Sequence, residues 1–321
     1  MQFINAAFDD IDAMAASPLA WQQEYEQIGR GKFSGRLTQL VLNSVQLGRC
    51  QWSPGILQRG MAPPDTWVFG LPIETHGTLH ARRRPGRPGE LLAATSRDDI
   101  GFATTGYADL MVVVLPQWMI NDWMRKRRGA GGLDPRMNSP HLALSPSQMT
   151  QRANSLATLL NEMGGLDRVA GIDGAITQFE DRICSAILDV IPSAEVIEPL
   201  HHRARIAREL LVILRENVEQ PLTITDLCER TGAKERTLFL CCQEAFGRSP
   251  AQLLTDLRLN GARRALLNPK AGTSVTQVAA LFGFSHFGRF AQTYARMFDE
   301  LPSVTLANGA GHRVTSAHQN I

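Results

Sequence analysis

The chain has 321 residues, 44% hydrophobic and 20% charged, with a formal net charge of +2 at pH 7. That composition belongs to a globular protein long enough for two ordinary domains, and it excludes disordered, collagenous and disulfide-scaffold chains. No run approaches the roughly 18 uninterrupted apolar residues of a membrane span, and residues 1–10 are acidic and lack the basic region of a secretory signal. Five cysteines (Cys50, Cys184, Cys228, Cys241, Cys242) are odd in number and scattered, which fits buried thiols and a cytoplasmic location.

The small net charge hides an asymmetry. Residues 201–321 hold 15 Lys and Arg against 10 Asp and Glu, a balance of +5. That leaves 18 of the 33 basic and 21 of the 31 acidic residues in the first 200, a balance of −3. A modestly basic last third is compatible with phosphate binding.

In chain order, residues 1–30 read as a leader with one helix at 18–27. From Phe33 onward, short apolar runs at 37–42, 44–51, 66–71, 90–94, 100–102 and 110–115 are separated by Gly- and Pro-containing turns. Many short strands with such breaks predict a β-barrel or jelly roll over about 30–116, a common container for a small ligand. After Pro116 the pattern turns helical, with helices at 117–128, 146–163 and 173–191. The last carries Ile176, Phe179, Ile183, Ile187 and Ile191 on one face, suited to packing on the barrel or against its copy in a dimer. Residues 192–199, bounded by two prolines, read as the linker.

The last third contains a repeat. Residues 222–232 align with 273–283 at an offset of 51, each with a polar cap, apolar residues spaced for a short helix, and a closing Gly. Thr223 and Asp226 form a capping box in the first copy. A second helix follows each Gly, at 235–246 and 286–298, and each ends in a Pro-containing turn. Helix, turn, helix, twice over, joined by a linking helix at 256–267, is the pattern of two helix-turn-helix units. Two recognition helices on one face of a monomer would meet major-groove segments about 34 Å apart. In the second, Phe290, Tyr294 and Phe298 make the buried stripe and leave His286, Arg289, Gln292 and Thr293 outside for bases and phosphates. In the first, Leu238 and Phe246 are core, while Lys234, Glu235, Arg236, Phe239 and Gln243 lie outside.

These residues resemble the AraC/XylS family of bacterial transcription regulators. The likeness is carried by the lead-in 222–227, Arg236-Thr237-Leu238, Gly247-Arg248-Ser249-Pro250, the run 258–267 and Gly283-Phe284. The run 283–292 with Leu301-Pro302-Ser303 is most similar to the branch containing the ethanolamine-utilisation regulator. In the N-terminal half, Phe33-Ser34-Gly35 and residues 87–91 are similar to the family's effector-binding barrels. The resemblance implies an α+β protein. Its N-terminal cupin-like barrel with appended helices (1–195) would sense a small-molecule effector and dimerise, an all-α DNA-binding domain (196–305) would follow, and a disordered tail (306–321) would end the chain. It also implies binding to promoter DNA, contact with RNA polymerase, and activation of transcription. Arg236, His286, Arg289, Gln292, Thr293 and Lys234 are the expected DNA-contacting residues. The effector site is not legible in the sequence, and neither a catalytic residue, a cofactor nor a bound metal is expected.

The chain also departs from the family pattern. Lys234 stands where a capping Ser is usual, Cys242 where Phe is usual, and Phe239 and Leu240 where polar residues are usual. Phe287 and Gly288 occupy positions that are polar in other branches. The first unit therefore has a poor cap and an apolar exterior, which keeps open an alternative in which this half docks on another regulator. A cupin-type enzyme is a more distant alternative, because His76, His80 and His141 are the only N-terminal histidines and form no paired-His strand motif.

Simpler structural roles account for several other features. Arg258 and Arg263 are expected to pair with acidic neighbours or helix ends. Cys241-Cys242 read as buried thiols, Arg82-Arg83-Arg84 and Arg87 as a solvated hairpin tip, and Trp52, Trp67 and Trp118 as core residues.

Overall fold

A computed structural model describes residues 1–18, 21–81, 83–87, 89–96, 100–128, 141–164, 173–191, 195–196 and 201–317. The first part runs β1 (Gln2–Phe8), α1 (Ile11–Ala16), β2 (Gln22–Gln27), β3 (Ser34–Val41), β4 (Gln46–Ser53), β5 (Ile56–Met61), β6 (Thr66–Thr75), β7 (Leu79–Ala81), β8 (Arg84–Pro85), β9 (Glu90–Thr95), β10 (Phe102–Thr104) and β11 (Ala108–Pro116). There follow α2 (Gln117–Arg128), β12 (His141–Ala143), α3 (Pro146–Gly164), α4 (Asp173–Leu188) and β13 (Glu195–Val196). The strands form an eight-stranded sheet, in the order β1-β3-β4-β11-β6-β9-β12-β13, and a five-stranded sheet, in the order β2-β5-β10-β7-β8. All their pairings are antiparallel.

The central strands of the large sheet are apolar on both faces because both faces are covered. Alternation along β11 sends Met111, Val113 and Leu115 into a core shared with α2, α3 and α4. The residues between them, Leu110, Val112 and Val114, face a cavity enclosed by the two sheets. Helix α4 packs on its own chain through Ile183, Ile187 and Leu188. It is pinned by Glu180, whose carboxylate accepts from the backbone N–H of Ser44 at 2.6 Å and of Val45 at 3.2 Å, in the β3–β4 turn.

The helix expected at 18–27 is replaced by strand β2, which pairs with β5 from Gln22↔Met61 to Gln27↔Ile56. The sequence Gln-Gln-Glu-Tyr-Glu-Gln has good helix formers, but alternation there satisfies two surfaces at once and tertiary pairing overrides propensity. Strands β1, β5 and β7 fall outside the expected set, and β1 extends the large sheet by pairing with β3.

The second part is all helical: α5 (His201–Glu216), α6 (Ile224–Thr231), α7 (Glu235–Phe246), α8 (Pro250–Leu267), α9 (Val275–Leu281), α10 (Phe287–Phe298) and α11 (Pro302–Ala317). The linking helix α8 starts at Pro250, well before the expected 256, because Ser249 and Gln252 build a capping box ahead of it. The tail expected to be disordered forms α11 instead, and only 318–321 of it lie outside the described residues. Thr305 is fully buried and accepts from Tyr294 Oη at 2.8 Å, and Gly309 lies so close to α8 that a Cβ there would meet Leu266 O at 2.5 Å. Most of the expected linker at 192–199 and the segment 129–140 lie outside the described residues.

Candidate nucleic-acid interface

The first unit is α6–α7, the second α9–α10. In each, the first helix opens on a reciprocal capping box, Thr223 with Asp226 and Ser274 with Gln277. Gly232 ends α6 with φ +64°, the left-handed conformation glycine adopts without penalty. The recognition helices differ from these: Lys234 caps α7 and His286 caps α10, and neither supplies a side-chain hydrogen bond.

An aromatic ladder holds α10 in place. Phe284, Phe290, Tyr294 and Phe298 meet in sequence at centroid distances of 4.9, 5.6 and 4.7 Å, and the last three are buried. The opposite face is free: His286, Arg289 and Gln292 are exposed together. Thr293 is half-buried, and its hydroxyl donates to the Arg289 carbonyl at 2.8 Å, so it is less available than its three neighbours. Arg296, absent from the sequence-based set, is exposed in the last turn. In α7, Leu238, Cys241, Cys242, Ala245 and Phe246 are buried. Lys234 and Arg236 are exposed, as are Phe239 at 50% and Leu240 at 42%. Burial pushes the Cys242 thiol well above its usual range, as expected of a packing residue.

The linking helix turns its arginines inward. Arg258 donates to the carbonyls of Val218 at 2.9 Å and Gln220 at 2.7 Å, and Arg263 pairs with Glu300. Arg264 reaches the N-terminal half, with Nε 3.0 Å and Nη2 2.8 Å from Asp12 Oδ1, Nη1 3.0 Å from Glu26 Oε1, and Nη2 2.8 Å from the Tyr25 carbonyl. These contacts leave none of the three facing out like Arg289.

The two halves are joined more intimately than the sequence suggests. Asn260 is buried in α8 and mimics a strand backbone: Oδ1 accepts from Gln27 N–H at 3.0 Å while Nδ2 donates to Gln27 O at 2.9 Å. Gln27 Nε2 donates to Met297 O at 2.6 Å, and Arg248 donates to Ile28 O. Arg215 of α5 lies 2.8 Å from Glu24. His80 on β7 donates from Nδ1 to the Glu244 carbonyl at 2.7 Å, a tautomer fixed because a carbonyl can only accept. Desolvation lowers the His80 pKa. Ile28, Leu57 and Ala103 of the sheets belong to the same hydrophobic core as α5, α6, α7 and α8. Asn260 stands among Asp256, Leu257, Arg263 and Arg264 on α8, so no apolar period singled it out in the sequence.

The cavity between the sheets measures about 1010 Å3 including its mouth, and Trp21, Tyr25, Trp52 and Phe102 line it together with aliphatic side chains. Trp52 and Phe102 stack at 5.7 Å, and Trp52 Nε1 donates to Thr104 Oγ1 at 2.9 Å. Strand β2 belongs to both regions. Gln23 and Tyr25 line the cavity, while Glu24 and Glu26, pointing the other way, hold Arg215 and Arg264.

Two expectations are corrected. Arg84 is not part of a solvated tip: it is 5% exposed, and its Nη1 lies 3.0 Å from Glu90 Oε2, an ion pair that closes one side of the cavity. Trp118 is no core residue, at 57% exposure, whereas Trp52 and Trp67 are buried. Among the described residues, no cluster of three His, Cys, Asp or Glu could hold a metal ion, and no helix is long and apolar enough to cross a membrane.

The chain is similar to several known proteins. A helix-turn-helix domain model matches residues 227–308. The chain is similar to a "XylDLEGF operon transcriptional activator 1" of Pseudomonas putida, at 25% identity over 288 residues, 86% of this chain and 85% of the other. It is similar at 25% identity over 310 residues to a "Probable thc operon regulatory protein" of Rhodococcus erythropolis, with 93% of both chains covered. Among solved structures, a probable AraC family transcriptional regulator from Rhodopseudomonas palustris is 35% identical over 32% of this chain and 96% of its own, with a TM-score of 0.31. The AraC-like transcriptional activator CuxR is 17% identical over 71% of this chain and 80% of its own, with a TM-score of 0.38.

Proposed function

We propose that the chain is a DNA-binding transcription regulator of the AraC/XylS family, acting as a ligand-responsive, sequence-specific activator. The observation that carries the ligand-responsive part is the double use of β2, whose alternate side chains face the cavity and the DNA-binding helices. Anything that displaces Gln23 or Tyr25 moves Glu24 and Glu26 with them, and these hold Arg215 and Arg264. A ligand shifts the regulator by the difference in its affinity for the two arrangements of this joint.

In this reading α10 enters a major groove with Arg289 and Gln292 at base edges and His286 at its N-terminal end, and Thr293 is a minor contact. Arg236 and Lys234 of α7 approach the adjacent groove segment, mainly at phosphates. The sensing part ends near residue 195 and the DNA-binding part begins near 196. RNA polymerase, a second copy of the chain and a cytoplasmic setting complete the functional context. The ethanolamine-regulator branch is retained only for the likeness of the run 283–292.

The test is a gel-shift titration on a promoter recovered by genome-wide binding of the tagged protein. Log affinity should fall linearly with log salt as counterions are released. Arg289→Ala should weaken binding and relax preference at one base position. A salt-independent affinity that Arg289→Ala leaves unchanged favours the docking alternative, for which the exposed Phe239 and Leu240 speak.

A further inference from the structure

We propose that the cavity takes an uncharged, mainly aromatic ligand that presents hydrogen-bond acceptors to the side-chain amides of Gln46 and Gln23. This rests on the ligand-responsive reading above and specifies the ligand's chemistry.

One glutamine of the wall has a fixed orientation. Trp21 Nε1–H can only donate, and it lies 3.1 Å from the Gln46 side chain, so the atom it meets is the amide oxygen. Gln39 Nε2 donates to that same oxygen at 3.1 Å. Gln46 Oε1 is thereby saturated, and the Nε2 group faces no acceptor among the described residues. On the opposite sheet Gln23 Oε1 lies 2.8 Å from Gln58 Nε2 and 3.1 Å from Tyr25 Oη. Its Nε2 group likewise faces no acceptor among the described residues. Both residues line the cavity, so their Nε2 groups offer a ligand donors, beside the acceptor Oε1 of Gln58.

The electrostatics of the wall select against charge. Among the described lining residues there is no Lys, Arg or His, and the single carboxylate, Glu90, is neutralised by Arg84 and also accepts from Arg87 N–H at 3.0 Å. Burial raises the Tyr25 hydroxyl well above its usual value and pushes the Cys50 thiol up to about 12, so both stay neutral. A charged ligand would lose its hydration in a wall that offers no counter-ion, a cost a neutral one avoids. The stacked Trp52–Phe102 pair and Trp21 give flat surfaces on which an aromatic ring can lie.

The experiment is calorimetric titration of the full chain with three compounds of one shape: 2-phenylacetamide, phenylacetate and 2-phenylethylammonium. The amide should bind at least about tenfold more tightly than either ion. Gln46→Leu, which removes the donor, should weaken the amide about fivefold. Gly48→Leu should abolish binding, because Gly48 lines the cavity with only Thr38 O, at 3.4 Å, close to its Cβ direction. A preference for the carboxylate or the ammonium, or no binding of any of the three to the native chain, overturns the proposal. So does a folded Gln46→Leu protein that binds the amide as tightly as the native one. The ranking on the native chain needs no variant. If the amide binds as stated but promoter affinity is the same with and without it, the ligand-responsive reading fails while the ligand chemistry stands.

Discussion

The two helix-turn-helix units have one sequence pattern and two different settings. The second rests mainly on its own core: α10 is held by its aromatic ladder of Phe290, Tyr294 and Phe298, meets the N-terminal half where Gln27 and Gly31 donate to the Met297 carbonyl, and exposes His286, Arg289 and Gln292 beside Phe287. The first shares its core with the sheets through Ile28, Leu57 and Ala103 and is gripped at the end of α7 by His80. Its outer face carries Phe239 and Leu240, while the recognition helices of both units start without a side-chain cap. A repeat duplicates a fold, but which copy reads DNA and which answers to the sensor is set by what each packs against. On the proposed function, the setting of the second unit suits readout and that of the first suits coupling as well as phosphate contact.

The largest effect should come from cutting the joint. Arg264→Ala leaves Glu26 buried without its nearest cation, and urea unfolding should show a loss of about 2–3 kcal/mol. The same variant should blunt the ligand response of promoter binding while leaving cavity binding intact. An unchanged stability would mean that the joint is cosmetic and that the two units are less different than described.

Next comes readout. Arg289→Ala should cost about 1–3 kcal/mol of promoter affinity with little change in unfolding, whereas Arg236→Ala should weaken all sequences alike and lower the salt slope. Equal loss of base discrimination from both variants would erase the division of labour. A smaller effect sharpens it from the stability side. Lys234→Ser supplies the missing cap of α7 and should raise stability by about 1 kcal/mol in thermal unfolding without changing base preference at the promoter.

The finest test uses pH. Desolvation lowers the His80 pKa in the folded protein from its ordinary 6.5, so the folded state binds fewer protons than the unfolded one. Its contribution is therefore fully present above pH 6.5 and lost as the pH falls below that value. Nearby, burial pushes Asp256 up to about 6 despite Arg248, so its charging destabilises the fold as pH rises from 3.8 toward 6. The two trends oppose each other, and comparison with His80→Gln isolates the first. Native protein should lose stability relative to that variant on acidification from pH 7 to pH 5.5. Parallel curves would remove His80 from the joint.

Much of this architecture was legible because it rests on local rules. Capping boxes, the closing Gly232, and the buried spacing of Phe290, Tyr294 and Phe298 define the helices of both units without reference to the rest of the chain. Strands β3, β4, β6, β9 and β11 of the large sheet were readable from their apolar runs, as was the apolar face by which α4 packs on them. Other features were not readable, because distant partners decided them. Residues 22–27 favour a helix locally and become β2 only because β5 offers an edge and Arg215 and Arg264 await Glu24 and Glu26. Arg84 in a basic run looks solvated until Glu90 is folded over it. The final helix, rich in Gly, Ala and Ser, forms against α8 by the close approach of Gly309.

The sequence by itself determined the helical repeat and which face of α10 is exposed, since hydrophobic period and capping act within a few residues. Tertiary structure alone decided the cavity, the aromatic lining without Lys, Arg or His among its described residues, and the tie between the sheet half and the helical half. Those depend on side chains such as Gln27 and Asn260, which lie 233 residues apart in the chain yet within hydrogen-bond reach in the fold.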